Sequence, residues 1–320
     1  MKIQHVNIQR IKKPFYYCYH YELRDNSLLT SIKDQGILNP IWLVQKNGLH
    51  VIDGHRRWQA AKRIGFTKIP VYIYSGKDLD KTFISALHLN LTTGRFSVVE
   101  KLKILYLSWH LFGENIHRKV SQILELSNVP KIFEISSEIM SLPRWLQEYF
   151  HQMNISLKFL EKIIHYPLNR YRKWLKMAAL LRLNGIELIQ LLESLHDISL
   201  RDHIEVNRLW QLLKIDVFLS RDLTLSQKIL HLKKTIYARR FPILHQINKN
   251  ILDEISSFPK SFKNIFQISW DKNLEQSSIQ ISFRMKLLDD LRNACEIISN
   301  REIQSKLNQL IKRVNNSSQY

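Results

Sequence analysis

At one glycine the hydrophobic pattern of this chain changes its period, and that change constrains the fold more than any other short stretch. Leu49-His50-Val51-Ile52 reads as a short strand and Asp53-Gly54 breaks it. From His55 to Ile64 the apolar positions Trp58, Ala61 and Ile64 recur at helical spacing, until Gly65 closes the run. Gly54 lets the backbone turn tightly, so the helix begins at once with His55, Arg56 and Arg57 in its first turn. The unpaired N–H groups of a helix start are already positive. Two arginines there cost stability unless an anion arrives, and a phosphate would accept from backbone N–H groups and guanidinium forks together. The alternative reading pairs Arg56 and Arg57 with Asp53, Asp34 or solvent.

The flanks build a small domain around this corner. Residues 1–20 mix basic side chains with Phe15, Tyr16, Tyr17 and Tyr19, and Val6, Ile8 and Ile11 suggest a first strand. Asn26 to Gln35 reads as a helix with Leu28, Leu29 and Ile32 on one face, stopped by Gly36. Ile41 to Val44 forms a strand that the turn Lys46-Asn47-Gly48 joins to Leu49–Ile52 as a hairpin, and Pro70 leads into a further strand, Val71 to Tyr74. Helices then dominate: Ser97 to Phe112, Val120 to Leu126, Lys131 to Met140, Arg144 to Phe150, Leu157 to His165, and several more to about residue 250. Two alternating strands, Ile265–Trp270 and Ser278–Phe283, precede a last helix from Lys286 to about Val314, and the tail Asn315 to Tyr320 reads as frayed. The fold class is therefore α+β: a small N-terminal domain (1–95), a helical, helix-turn-helix-like domain (96–184), and a mainly helical C-terminal module (185–320) that carries a β-hairpin and helix.

The 320 residues carry 48 Lys and Arg against 28 Asp and Glu, a net charge of +20 that points to a polyanionic partner. The charge is segregated. No acidic residue lies between Lys162 and Ile186, beside Lys162, Arg170, Arg172, Lys173, Lys176 and Arg182. None lies between Leu223 and Leu252, beside Lys228, Lys233, Lys234, Arg239, Arg240 and Lys249. Tyr171, Trp174, Tyr237 and Phe241 interleave these segments, at spacings that suit a helix core better than base stacking. No apolar run spans a membrane and the first twenty residues lack a signal-peptide core, so no membrane partner and a cytoplasmic location are expected. Cys18 and Cys295 lack metal-ligand spacing; each is expected to be a buried thiol, and no metal site is expected.

Several motifs in one register resemble a known family. Ser31 to Ile41, then Ile52-Asp53-Gly54-His55-Arg56-Arg57-Trp58-Gln59-Ala60-Ala61-Lys62, then Ile69-Pro70-Val71, resemble the N-terminal domain of ParB-type partition proteins, of the ParB/sulfiredoxin superfamily. The resemblance implies a cytidine triphosphate site with Mg²⁺. The loop Gly36 to Pro40, including Asn39, would lie beside base and sugar, and Gly54, His55, Arg56 and Arg57 would hold the phosphates. Two departures bear on chemistry. His55 replaces the family's glutamate, and of the third family motif only Asn90 remains within Leu89-Asn90-Leu91-Thr92-Thr93. Both remove groups that would serve Mg²⁺ and hydrolysis. Sulfiredoxin has a nucleophilic cysteine at the place of His55, and an imidazole cannot form its sulfur intermediates.

Ser97-Val98-Val99-Glu100 resembles the family's entry into its DNA-binding helices and is also a capping box. Val120–Leu126 and Pro130–Met140 then read as helix and recognition helix, with Ser141-Leu142-Pro143 resembling the continuation. That recognition helix offers Lys131 as its sole cation beside Glu134 and Glu138, which suits phosphates poorly. The DNA candidates are therefore Lys131, Arg170, Arg172, Lys173, Lys176, Lys233, Lys234, Arg239 and Arg240. The leading expectation is a DNA-associated, ParB-like protein of partition, segregation or regulation, with a Walker-type partition ATPase and a second copy of the chain as further partners. A nuclease or nucleotide-hydrolysing enzyme using His55 or Asp53 is the rival reading, and a scaffold with a degenerate ligand site the third.

Overall fold

The computed structural model describes residues 2–12, 17–21, 26–94, 96–276 and 278–317. Phe15, Tyr16 and the tail from Ser318 lie outside the described residues. The chain forms two compact units, residues 1–192 and 193–320.

The first unit opens with β1 (Gln4–Asn7), α1 (Asn26–Gln35), β2 (Ile41–Gln45), β3 (Leu49–Asp53), α2 (His55–Ile64), β4 (Lys68–Ser75) and α3 (Leu79–Thr93). The four strands make one mixed sheet in the order β1-β4-β2-β3. β2 and β3 are the expected antiparallel hairpin, while β4 runs parallel to β2 with Trp42 opposite Tyr72 and Leu43 opposite Ile73. β1 is shorter than its apolar residues suggest. Ile8–Arg10 turns as a single 3₁₀ coil because the Asn7 side chain accepts from Gln9 N–H, and Ile11 returns to bridge Leu49. One face of the sheet buries Ile41, Leu43, Val51, Ile69 and Val71 against Trp58 and Ala61 of α2. The period change at Gly54 thus becomes a helix laid back on the strands that flank it.

Helices complete this unit: α4 (Val98–Phe112), α5 (Glu114–Ile123), α6 (Ile132–Ser141), α7 (Arg144–Gln152), α8 (Leu157–Ile164), α9 (Arg172–Leu180) and α10 (Gly185–Asp202), within which the boundary between the units falls. α4 is the hub against which α5, α6 and α7 pack. Its capping box is complete: the Ser97 hydroxyl accepts from Glu100 N–H, and the Glu100 carboxylate accepts from Ser97 N–H. α5 starts earlier than its apolar pattern predicts, at Glu114, because Gly113 ends α4 with φ +80° and restarts the helix at once.

The second unit continues through α11 (Val206–Leu212), α12 (Ile215–Leu219), α13 (Leu225–Arg240), α14 (Pro242–Ser256) and α15 (Lys260–Ile265). The hairpin β5 (Phe266–Trp270) and β6 (Ile279–Phe283) follows, then α16 (Leu288–Ser299) and α17 (Arg301–Ser317). Its core gathers Ile251, Phe258, Phe262, Phe266, Ala294, Leu307 and Leu310. The single last helix expected from sequence is two. Asn300 turns to extended geometry and its side chain accepts from Glu302 N–H, a local bond that ends one helix and caps the next. Cys295 also departs from expectation: Ala294 takes the core position, leaving the neighbouring thiol exposed, whereas Cys18 is buried. No helix among the described residues is long and apolar enough to cross a membrane. The fold is α+β.

A candidate anion cleft at the start of α2

Gly54 sits at the N-cap of α2 with φ +87°, where a β-carbon would come within 3.2 Å of both Arg57 Nη2 and Ile41 Cγ1. The helix therefore starts flush against β2, with no side-chain cap and no acidic residue in its first turn. Beside this corner lies a cleft of about 490 Å³. Asn39, Pro40, Gly54, His55, Arg56, Arg57 and Asn90 all line it. Gly36, the remaining candidate, does not; with φ +73° it ends α1 and turns the chain toward the rim.

The two arginines divide. Arg57 donates to the Asp53 carboxylate at 2.8 Å, to the Pro40 carbonyl at 3.2 Å and to the Asn39 carbonyl. The other Asp53 oxygen accepts from Asn90 Nδ2 at 2.9 Å, and that amide also donates to the Ala86 carbonyl. Asp53 is buried, so Arg57 and Asn90 supply the partners that a desolvated carboxylate needs. The internal pairing that the sequence left open thus holds for Arg57. Arg56 projects from the same turn as an exposed side chain on the cleft wall.

His55 points inward and is 4% exposed. Burial, with the nearby His20 and Lys103 charges, lowers its pKa to about 3, partly offset by a hydrogen bond to the Val51 backbone. The ring is therefore neutral at physiological pH and a weak base. Among the described residues no three His, Cys, Asp or Glu side chains come together to hold a metal ion.

Sequence reasoning missed part of the wall: His20, Leu28, Trp42, Tyr72 and Leu89. Trp42 and Tyr72 were legible in principle, because they alternate with buried residues on paired strands and face away from the α2 core. His20 carries no local signal. Its Nδ1 lies 3.1 Å from Glu100, eighty positions along the chain.

The basic candidates also sort themselves. Arg170 stands just before α9, and Arg172, Lys173 and Lys176 lie on it; all four are exposed and none pairs with a carboxylate among the described residues. Tyr171 and Trp174, between them, are core residues at 2% and 0% exposure. Lys131 is exposed at the N-cap of α6, whose outer face shows Glu134 and Glu138 while Ser136 bonds the Leu102 carbonyl of α4. Lys233 and Lys234 are exposed on α13. Arg239 and Arg240, by contrast, are engaged: Arg239 pairs with Asp202 at 2.5 Å and Arg240 with Asp197, fastening α13 to α10 within the second unit.

Residues 1–91 match the family model of the ParB N-terminal domain. The chain carries a ParB N-terminal domain. Among curated relatives, the probable chromosome-partitioning protein ParB of Neisseria meningitidis serogroup A is 29% identical over 143 residues, 44% of this chain and 48% of that one. The corresponding protein of Borreliella burgdorferi is 30% identical over 125 residues, 38% and 47% of the two chains. The chain thus spans about half the length of these two relatives. Among solved structures, a C-terminally truncated ParB from Caulobacter crescentus complexed with CTP-γ-S is 19% identical, covering 52% of this chain and 94% of that one at a TM-score of 0.26. The corner at Gly54 and the cleft beside it lie inside the segment matched to the ParB N-terminal domain.

Proposed function

We propose that this chain is a DNA-associated partition protein of the ParB type, in which the domain 1–95 binds a nucleoside triphosphate in the Gly54–Arg57 cleft and the helical domain 96–184 holds DNA through the Arg170–Lys176 face. One observation carries the reading: side chains that the family resemblance assigns to one ligand converge on one cleft at an uncapped helix start, with Arg56 exposed beside it. Uncapped N–H groups and a guanidinium suit the oxygens of a phosphate chain. The named relatives are probable partition proteins, which supports the pathway. The fit to Mg²⁺ is poorer, because both Asp53 oxygens are engaged and His55 stands where the family has a glutamate, so a metal would have to enter on the phosphates. The same two facts favour binding over catalysis: neither Asp53 nor His55 is placed as a working base. A second copy of the chain and a Walker-type ATPase are the expected further partners in partition.

Calorimetry with each of the four nucleoside triphosphates tests the reading. Cytidine triphosphate is expected to bind, and Arg56→Ala to weaken it by about tenfold or more. Indifference to all four would end the nucleotide half and leave the turn to a phosphate of DNA.

A further inference from the structure

His20 brings an imidazole ring to the cleft. Its ring lines the wall and packs in a cluster with Tyr19 and Phe96 at centroid distances of 4.6 and 5.7 Å, and its side chain is 23% exposed. Nδ1 is held by Glu100 Oε1 at 3.1 Å, while Nε2 makes no hydrogen bond to any described residue. Glu100 is itself fixed. Burial would raise its carboxyl, but the hydrogen bonds from His20 and the Ser97 backbone, with the charges of His20 and His151, hold it below the usual carboxylate range. A carboxylate clamped in this way orients an imidazole by one nitrogen and leaves the other for a ligand.

We propose that His20 contacts the phosphates of the bound nucleotide through Nε2–H, with Glu100 as its positioning residue. This rests on the nucleotide reading of the cleft. With Nδ1–H donated to Glu100, only the imidazolium has a second N–H to offer, so a bound phosphate draws a proton onto the ring. The charged and titratable groups around it are Glu100 and Lys103 from α4, His151 from α7, His55 and Arg56 from α2, and Asp53 from β3. His55 stays neutral throughout. Binding therefore takes up a proton.

The test is calorimetric titration of the full chain with cytidine triphosphate at about pH 8, where the nucleotide's own phosphates are fully ionised, in buffers of different ionisation enthalpy. The wild-type chain is expected to bind with net proton uptake. His20→Gln should bind about tenfold more weakly and without that uptake, while His151→Gln keeps it. Circular dichroism confirms that each variant is folded. A wild-type chain that binds without proton uptake overturns the proposal and needs no variant, as does a folded His20→Gln chain with wild-type affinity and uptake. In both cases the nucleotide reading survives. No binding by the wild-type chain overturns both.

Discussion

Arg56 and Arg57 are adjacent and identical in chemistry, but one is exposed and the other half-buried. Arg57 ties a buried carboxylate to the loop that enters β2, whereas Arg56 projects into the cleft. Arg57→Ala should cost about 2–3 kcal/mol, because it leaves Asp53 with Asn90 alone in a desolvated position. Arg56→Ala, at an exposed side chain, should cost less than that. Urea unfolding of the two variants separates them, and equal losses would contradict the division. His55 makes a second prediction at this scale. Its folded pKa is depressed from 6.5 to about 3, so its contribution is whole above the unfolded value and is lost as pH falls through that window, where only the unfolded chain takes up the proton. Stability should fall on acidification with a slope of up to about 1.4 kcal/mol per pH unit from this ring. Unfolding curves across a pH series should show that slope reduced in His55→Gln, and an unchanged slope would rule the ring out as its source.

At the scale of elements, the sequence is most legible where a local rule and the packing agree. α1 ends at Gln35 before a glycine with positive φ, and α2 runs from His55 to Ile64 between two such glycines, as the pattern of Trp58, Ala61 and Gly65 predicts. The hairpin of β2 and β3 follows from the turn residues between them. Illegible were features that depend on a choice between two local bonds: Asn300 caps instead of continuing a helix, and Asn7 turns the chain after β1. Seven of the eight residues expected at the ligand site line one cleft, because they sit on the corner itself or on the loop and helix that close over it. His20 stayed hidden because nothing within twenty residues of it predicts Glu100; only the placement of α4 brings the two together. The basic segments were legible as charge but not as surface. Charge runs do not reveal that Arg239 and Arg240 meet Asp202 and Asp197, whereas the Arg170–Lys176 group meets no carboxylate among the described residues.

For the whole molecule, a net charge of +20 is a statement about association rather than fold. The cations of α9 belong to the first unit and the exposed lysines of α13 to the second. Replacing Arg170, Arg172, Lys173 and Lys176 by Gln should lower the dependence of log affinity on log salt by about 0.9 for each phosphate that is no longer neutralised. Fluorescence anisotropy on a non-specific duplex at several salt concentrations reads this directly. Replacing Arg239 and Arg240 should leave the slope in place, since their charges are already answered, and a larger drop there than at α9 would place the duplex on the other unit.

The bonds from Arg57 to the carbonyls of Asn39 and Pro40 carry a kinetic meaning. They join the loop before β2 to the corner at Gly54, so the rim of the cleft is set before any guest arrives. Little ordering entropy is left to be lost on docking, and capture at this rim should proceed in one step rather than wait on a rearrangement of the receptor.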